Sequence, residues 1–596
     1  MIIQELCKYY DVLSSEKEND IPKLGFCSAK VSYGIGLNQD GSIRSIIDLR
    51  ESSSSKPRYF TLPEQAPRSS GINPYFWSDK SDYFFGISKK DKKSPVIKTK
   101  DYFEASKELH LKILEACPSL DAQAVVSFFK NWNVDNAESV LKEIEGYSED
   151  ILFSSNFVFV VNTSEKVKIP EEINQKWLEY YSSSEDEKCL CMISGEEDSI
   201  ARLHPKIKGV MDTQVAGANI VSFNDNAYES YGKKQGQNAP VGRRAAFKYG
   251  TVLNHLLKPG SNQRFILGDS TVVFWSETAN KTNELAFGMF CNPPKKTDET
   301  NADEEKIRDK ETESEIMSVL TNIRNGVRVH DISSELDFDT NFCVLALSPN
   351  AARISVRFFY RDTFGNLMKN FALHLSDMEL ESDSPQFVSL WLILNNTKNQ
   401  SSKDSKPSPI LSAGLLNAVM KGGLYPAAVY SQILQRIRID GKISYSRVSF
   451  IKAYLKRKDR IFGHNKIQED LTVSLNENSK NKPYLLGRLF AILENVQYKA
   501  LGKLNSSIKD SFFSSASTSP RSVFPYLIKL SQHHFAKLSS NYLEIEMAKI
   551  LDNFDQIPSH LNFEEQGMFI LGYYQQKQAF FAGKENKTEE KTEIAE

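Results

Sequence analysis

The alternation of hydrophobic and polar residues along the chain changes character at two polar stretches. Before the first of them, period-two alternation over residues 29–37 and 42–49 flanks a turn at Asn38–Gly41 and predicts a β-hairpin. An uninterrupted apolar run over residues 151–161 predicts a buried strand. Apolar positions three to four residues apart predict helices over residues 2–13, 103–116, 119–131 and 135–146. The pattern over the first ~290 residues therefore mixes helices and strands without regular βαβ alternation.

The first polar stretch separates this part from a short α+β segment. Residues 298–315 contain nine acidic and three basic residues and almost nothing apolar, which is typical of a solvated linker. Residues 341–348 and 352–361 then predict two strands on either side of Pro349–Ala351, and residues 367–380 predict a helix. The second polar stretch, 400–409, is also typical of a linker.

Beyond this second linker the pattern predicts a helical bundle. Five apolar side chains of residues 483–497 fall on one helical face: Leu486, Leu489, Phe490, Leu493 and Val496. Further helices are predicted over residues 522–531, 533–551 and 563–582. The expected fold class is α+β and multidomain, with a mixed N-terminal and central region followed by an all-α C-terminal bundle. Its expected parts are an N-terminal α+β domain (1–185), a basic amide-rich central region (186–292), an acidic linker (293–315), an α+β segment completing the N-terminal body (316–399), a linker (400–409), the bundle (410–582) and a disordered tail (583–596).

Composition adds the exclusions. The 596 residues are 40% hydrophobic and 25% charged, which excludes global disorder, collagen and a coiled coil. No run of about 18 apolar residues predicts a transmembrane helix, and the first residues lack the basic and cleavage features of a secretory signal. Seven cysteines, an odd and sparse number, favour a reducing cytoplasm over a disulfide framework.

The charge is near neutral overall but uneven along the chain. The net charge of the chain is −2, whereas residues 201–268 hold ten basic and three acidic residues, residues 408–470 hold eleven and four, and residues 471–550 hold ten and five. Separated basic blocks are what a polyanion-binding surface needs, because lysine and arginine displace counterions from phosphates. The alternative interpretation is that these residues form solvated helix faces.

The most unusual stretch is residues 201–257, where amides, hydroxyls and cations crowd together without an amphipathic period. The polar residues are Gln214, Asn219, Ser222, Asn224, Asn226, Ser230, Gln235, Gln237 and Asn238, interleaved with Lys206, Lys208, Lys233, Lys234, Arg243 and Arg244. Such side chains can bond phosphates and base edges, and Tyr228 and Tyr231 can stack on unpaired bases. The alternative is a long ordered loop packed on the core.

Signals for catalysis or metal binding are weak. Cys189 and Cys191 with His204 offer at most three ligands, so buried thiols are favoured over a structural zinc site. His374 and Asp377 share a predicted helical face, where a structural hydrogen bond is favoured over a two-metal nuclease site. The chain has no Walker motif and no G-x-S-x-G motif. We therefore expect no catalytic site, no metal and no cofactor.

Several segments resemble the large subunit of the type I-C CRISPR interference complex, the Cascade surveillance complex. The matching segments are Gly71–Gly86, Cys191–Gly195, Ala201–Gly209, Val221–Asn224, Tyr228–Tyr231, Asn238–Pro240, Leu347–Arg353, Leu486–Ala491, Ser519–Pro520 and Val523–Pro525. They follow in order from near the start of the chain to its C-terminal part. The run Asp212–Ala216 departs from the Gly-Ala-Gln-Ser-Ser-like run of that family but retains Gln214.

The resemblance implies a non-enzymatic subunit at the foot of a guide-RNA complex, beside the subunit that holds the 5′ handle of the guide. Such a subunit reads the short motif flanking the target (the PAM), helps to open the duplex, holds the displaced strand and recruits the helicase–nuclease, while guide pairing supplies most sequence specificity. Its expected partners are double-stranded target DNA, the displaced single strand, the guide-RNA complex, the backbone subunits and the helicase–nuclease. Membranes are not among the expected partners.

Candidate DNA-binding residues follow from the resemblance and from the residue types. Arg68 and Asn73, in a polar N-terminal loop, suit guanine and adenine edges respectively, or acceptors in the minor groove, and are the first candidates for PAM reading. The full predicted set is Arg68, Asn73, Lys206, Lys208, Gln214, Ser222, Asn224, Lys233, Lys234, Asn238, Arg243, Arg436, Arg438, Lys456 and Arg457.

Three further hypotheses stay open at this point. A nuclease of the same defence system would use Asp377, and a scaffold subunit would bind protein only. In the resembling family the helical C-terminal part is also produced separately, from an internal start, as small subunits of the complex; Val473 or Met420 can mark that start here.

Overall fold

The computed structural model describes most of the chain outside its linkers. The described residues are 1–16, 21–51, 56–65, 68, 71–91, 93–153, 155–161, 167–183, 188–223, 225–291, 318, 322, 336–381, 388–399, 407–463, 468–502 and 506–593. The acidic linker predicted at 293–315 lies outside them. Two compact units emerge: a first unit of residues 3–205 and 222–252, and a second unit of residues 206–221 and 253–596. The predicted central region 186–292 thus contributes to both units.

The first unit is built on a four-stranded mixed sheet. The strands of this unit are β1 (Phe26–Val31), β2 (Tyr33–Leu37), β3 (Ile43–Asp48), β4 (Arg58–Pro63), β5 (Ser78–Lys80), β6 (Ile87–Ser88), β7 (Ile97–Lys98), β8 (Asn156–Val160), β9 (Lys188–Leu190) and β10 (Glu197–Ser199). The four-stranded sheet has the order β3-β2-β8-β5, in which only β2 and β8 are parallel. Its helices are α1 (Ile2–Ser15), α2 (Ser81–Phe84), α3 (Lys100–Leu114), α4 (Leu120–Asn131), α5 (Ala137–Lys142), α6 (Glu171–Ser182) and α7 (Arg243–Leu256), the last belonging to this unit as far as Val252.

Aromatic side chains dominate the core of the first unit. Phe84, Phe129 and Phe159 surround His110, which is fully buried and accepts a hydrogen bond from the Trp77 backbone at Nε2 (3.0 Å). Burial lowers the pKa of His110 to about 4. This histidine is therefore a neutral core residue that fixes the backbone just before β5.

The second unit combines an antiparallel sheet, order β11-β12-β13-β14, with helices. Its strands are β11 (Arg264–Leu267), β12 (Ser270–Ser276), β13 (Asn341–Asn350) and β14 (Arg353–Thr363). Its helices are α8 (Lys281–Cys291), α9 (Phe364–Met378), α10 (Leu390–Asn395), α11 (Pro409–Lys421), α12 (Ala427–Asp440), α13 (Tyr445–Phe462), α14 (Lys482–Leu501), α15 (Ile508–Thr518), α16 (Pro520–Phe535), α17 (Tyr542–Leu551) and α18 (Phe563–Glu593). One hydrophobic core runs from Phe265 to Tyr574, so sheet and helices fold as one body.

Helices α14 and α18 approach so closely that their backbones touch. A Cβ atom on Gly487 would lie 1.9 Å from the Phe569 carbonyl oxygen, and one on Gly572 would lie 2.2 Å from that of Tyr484. Polar side chains lock the seam, because Arg488 Nε donates to Gln576 (2.9 Å). Only glycine allows this approach at the two positions.

The α+β fold class and the helical C-terminal region are confirmed. The predicted strand pair around Pro349–Ala351 is the β13–β14 hairpin. The hairpin predicted over 29–49 is β2–β3, but residues 29–31 of its first strand belong instead to β1, which pairs with β4. The helix predicted over 533–551 is wrong as a single element: α16 ends at Phe535 and α17 begins at Tyr542, because Ser539, Ser540 and Asn541 favour turns.

Two ends also differ from expectation. The helix predicted over 135–146 shortens to α5, preceded by a 3₁₀ turn at Val134–Asn136. Helix α18 continues to Glu593, into the segment expected to form a disordered tail, since glutamate and lysine have high helix propensity.

Candidate nucleic-acid interface

Asn238 closes the 230–238 loop of the first unit. Its Oδ1 accepts a hydrogen bond from the Ser230 backbone (2.9 Å), and its Nδ2 donates to the carbonyl oxygens of Lys233 (2.9 Å) and Gln235 (3.0 Å). The Lys234 backbone donates to the Gln237 side chain (2.9 Å). The amide of Asn238 is thus engaged with its own loop rather than directed at a ligand, and it fixes the path of the chain around Lys233 and Lys234.

The base of this loop is anchored at Gly236. A Cβ atom there would lie 2.2 Å from the carbonyl oxygen of Ala201, so the loop backbone rests directly on the preceding segment. The tip, in contrast, is open to solvent: Lys233 and Lys234 are exposed, and neither forms an ion pair with a described residue. Of the two predicted residues that precede the loop, Ser222 is half-buried and Asn224 lies outside the described residues.

Residues 206–221 belong to the second unit, where they pack on its sheet. Asn254 bridges this segment, donating to the Lys206 carbonyl (3.1 Å) and accepting from the Lys208 backbone (2.8 Å). Met211 donates its backbone N–H to Thr271 of β12 (2.9 Å). The segment therefore has a fixed backbone, from which Lys208 and Gln214 project into solvent while Lys206 is half-buried.

The two arginines that open α7 are both engaged in the first unit. Arg243 lies over the Tyr181 ring, 4.6 Å from its centroid. Arg244 donates to the Glu197 carbonyl (3.1 Å) and lies 3.5 Å from Asp198. Arg243 therefore contributes to a local contact in addition to any contact with DNA.

Arg68 is held inside a cluster rather than presented to solvent. Its guanidinium lies 3.6 Å from the Tyr75 ring centroid and 4.0 Å from that of Tyr83, pairs with the buried carboxylate of Asp79, and donates through Nε to the Asn73 carbonyl (2.6 Å). Burial raises the pKa of Asp79 although Arg68 opposes the shift. Arg68 contacts the Asn73 backbone, but its guanidinium supports the loop, whereas the side chain of Asn73 is exposed.

The predicted residues of the helical region differ sharply in exposure. Arg436 pairs with Asp440 at 3.4 Å, and Arg438 is half-buried without an ion pair to a described residue. Lys456 is partly exposed and lies 4.0 Å from Asp377. Arg457 is fully buried, and its Nη1 donates to the carbonyl oxygens of Ala418 and Gly423. Arg457 does not fit the prediction of a DNA contact, because its guanidinium is enclosed and bound to the backbone.

Asp377 is a buried counter-charge for three cations of α13, Lys456, Arg457 and Arg460. Its carboxylate is fully buried, pairs with both nitrogens of Arg460 (2.9 and 2.7 Å) and lies 3.5 Å from Arg457 Nε. His374 bonds the Tyr425 hydroxyl (2.6 Å), and burial together with Arg457 lowers its pKa to about 3. His374 and Asp377 therefore both have structural partners, but these are Tyr425, Arg460 and Arg457 rather than each other.

Sequence reasoning missed Lys452 and Arg460 in this network. Lys452 is fully buried and donates to the Glu379 carbonyl (2.5 Å); burial and Lys456 lower its pKa to about 8. A spacing of four residues places Lys452, Lys456 and Arg460 on one helical face. This spacing is the sequence feature that could have identified them as one group.

Cys191 is buried and has structural partners, as does His204, whereas Cys189 is only half-buried. Cys191 Sγ accepts hydrogen bonds from the Gly242 (3.1 Å) and Ile193 (3.4 Å) backbones, and His204 bonds the Tyr249 hydroxyl (2.8 Å). Burial raises the pKa of the Cys191 thiol, but hydrogen bonds from Gly242, Ser194 and Ile193 together outweigh it and lower the pKa overall. Among the described residues, no three His, Cys, Asp or Glu side chains are grouped so as to hold a metal ion.

Comparison with known proteins identifies the family. No described helix has the length and apolarity needed to cross a membrane. No curated protein matches the chain significantly. A family model described as CRISPR-associated protein (Cas_Csd1) matches residues 6–581, nearly the whole chain, and this confirms the resemblance seen in the sequence. The chain belongs to the Cas_Csd1 family of CRISPR-associated proteins.

Proposed function

We propose that this protein is the non-catalytic, DNA-recognising large subunit of a type I-C Cascade complex, which reads the PAM, assists duplex opening and helps to recruit the helicase–nuclease. The observation that carries the proposal is the 230–238 loop, which presents Lys233 and Lys234 to solvent on a backbone fixed by Asn238. Exposed lysines on a fixed loop that form no ion pair with a described residue suit phosphates, since no such pair has to break on binding.

PAM reading is proposed for the loop around Asn73. Its exposed amide can bond an adenine edge in the major groove or acceptors in the minor groove. Arg68 then acts by positioning, because its guanidinium is bound to Asp79 and to the Asn73 carbonyl. Lys206, Lys208, Gln214 and Asn224 form a second candidate set, of which Asn224 lies outside the described residues.

The nuclease alternative has little support. Its candidate acid, Asp377, is fully buried and paired with Arg460 and Arg457. A carboxylate so neutralised is a poor metal ligand. A protein-only scaffold remains an outcome of the experiment below, and a cytoplasmic location remains a prediction.

A separate C-terminal product fits Val473 better than Met420 as the start. Val473 lies in the loop before α14, so a product starting there keeps α14–α18 as complete helices. Met420 lies within α11, near its end, where a start would remove most of that helix. Mass spectrometry of the purified complex tests this, and the absence of a short C-terminal product would remove the hypothesis.

The function is tested by duplex binding of the assembled complex over a library of flanking motifs, prepared with and without this chain. We expect one motif to be enriched only when the chain is present. Asn73→Ala should then relax that preference, whereas Lys233→Ala should weaken all sequences about equally. Equal enrichment without the chain would overturn the PAM-reading role, and salt-independent binding would favour the protein-only scaffold.

A further inference from the structure

Tyr231 occupies an unusual position at the tip of the 230–238 loop. Its side chain is 100% exposed, and its backbone φ of 54° lies in the left-handed region that bulky residues avoid. Gly232 follows with a φ of 71° and has open space around its Cβ position. An aromatic ring that buries nothing on its own protein, on a backbone that opposes it, does not stabilise the fold.

Hydrogen bonds within the loop hold Tyr231 in this conformation. Ser230, immediately before Tyr231, donates its backbone N–H to Asn238 Oδ1, and Lys233 accepts from Asn238 Nδ2 while donating its own N–H to the Ser230 carbonyl (3.0 Å). These bonds bracket Tyr231 and Gly232 on both sides. The ring is thus presented on a closed loop and loses little further backbone freedom on binding.

The chemistry around the ring selects its partner. Lys233 and Lys234 follow directly, both exposed and without an ion pair to a described residue. A flat aromatic face beside two cations matches an unpaired nucleobase and its adjoining phosphates. A base inside a duplex is unsuitable, since both of its faces are already stacked.

We propose that Tyr231 stacks on an unpaired base of the strand displaced from the target duplex, with Lys233 and Lys234 on the neighbouring phosphates and Asn238 as the positioning residue. This inference rests on the proposed function for its partner, DNA, and adds the residue that captures a base once the duplex has opened.

The experiment uses the complete complex and target duplexes that carry 2-aminopurine at successive positions of the displaced strand. Stacking against tyrosine quenches the fluorescence of this base. At one position of the displaced strand, the fluorescence should therefore be lower with the wild type than with Tyr231→Gly. Affinity for pre-opened targets should fall about 5- to 150-fold in Tyr231→Gly, the equivalent of one stacked base. Tyr231→Trp should retain the quenching.

Glycine is the informative replacement because it relieves the positive φ. Tyr231→Gly should therefore unfold at the same temperature as the wild type or higher, which separates lost stacking from lost folding. Tyr59→Ala is the matched control, since Tyr59 of β4 is also exposed (63%) and lies near Lys30. It should change neither quenching nor affinity.

Asn238→Ala tests the positioning role. This variant should bind pre-opened targets less tightly than the wild type. Adding Tyr231→Gly to Asn238→Ala should reduce the affinity by a smaller factor than adding it to the wild type, because a loosened loop no longer presents the ring. Equal quenching at every position in wild type and Tyr231→Gly, with DNA binding intact, would overturn the stacking proposal alone. Loss of all DNA binding by the wild-type complex would instead overturn the proposed function.

Discussion

The 230–238 loop and helix α13 come from two stretches with the same local excess of seven basic residues, residues 201–268 and 408–470. In the loop, Lys233 and Lys234 are exposed, and the hydrogen bonds that fix the backbone are made by the side-chain amide of Asn238. In α13, Lys452 and Arg457 are fully buried and the network centres on the carboxylate of Asp377. Local charge therefore does not identify a binding surface; what matters is whether the cations already have a partner inside the fold.

The largest effect that would sharpen this contrast is expected for Asp377→Asn. The amide leaves Arg457 and Arg460 without their counter-charge, and breaking a buried pair in this way costs about 3–5 kcal/mol of unfolding free energy. Denaturant unfolding measures the loss. Glu564→Gln is the control, because the Lys458–Glu564 pair is partly exposed and should contribute only about 0–1 kcal/mol. Unchanged stability with loss of DNA cleavage, and no loss of binding, would restore the nuclease hypothesis.

A smaller loss is expected for Arg68→Ala, which leaves the buried Asp79 carboxylate without its cation. The unfolding free energy should fall by about 2–3 kcal/mol, as for other hydrogen bonds to charged groups. Arg50→Ala, which removes the exposed pair with Asp48, should cost little in the same assay. If Arg68→Ala kept full stability and altered only the preferred motif, Arg68 would be a base reader and not a support.

The pH dependence of the stability of Lys452→Met tests the cost of burying the Lys452 charge. The folded-state pKa of about 8 lies below the usual value of about 10.4, so between these pH values the folded protein binds fewer protons than the unfolded chain and its stability rises with pH. The penalty for burying the charge is complete below pH 8. Relative to wild type, the variant should be more stable at pH 7, and this advantage should shrink by about 2–3 kcal/mol by pH 10.

Lys458→Met provides the comparison on the same helix, because Lys458 is partly exposed and paired with Glu564. The difference in unfolding free energy between Lys458→Met and the wild type should stay constant between pH 8 and 10. A constant difference between wild type and Lys452→Met across this range would mean that Lys452 keeps an ordinary pKa.

The smallest effect on stability is expected at the loop. The double change Lys233→Ala and Lys234→Ala should alter the unfolding free energy by less than about 0.5 kcal/mol. The slope of log affinity against log salt for DNA should nevertheless become less steep by about 1–2, close to one for each lost phosphate contact. Salt titrations of the complex measure it. An unchanged slope would place these lysines outside the interface and remove the contrast with α13.

Much of the fold was predictable because its elements repeat local patterns. The β13–β14 hairpin follows from two apolar runs around Pro349–Ala351, and α14 from the spacing of its leucines. The roles of the cations were not predictable, because Arg457 and Lys456 are neighbours in sequence but differ in burial through contacts with Asp377 and Ala418, which lie far away along the chain. Side-chain burial at this level depends on tertiary packing and not on local spacing.

The seam between α14 and α18 has a consequence for the order in which the chain folds during synthesis. Gly487 leaves the ribosome well before its neighbours Phe569 and Tyr573 are made. For that interval the face of α14 around Gly487 lacks its neighbours on α18. Helix α18 is therefore the last part of this seam to be made, and a chain that ends before residue 569 would expose the apolar face of α14 that α18 otherwise covers.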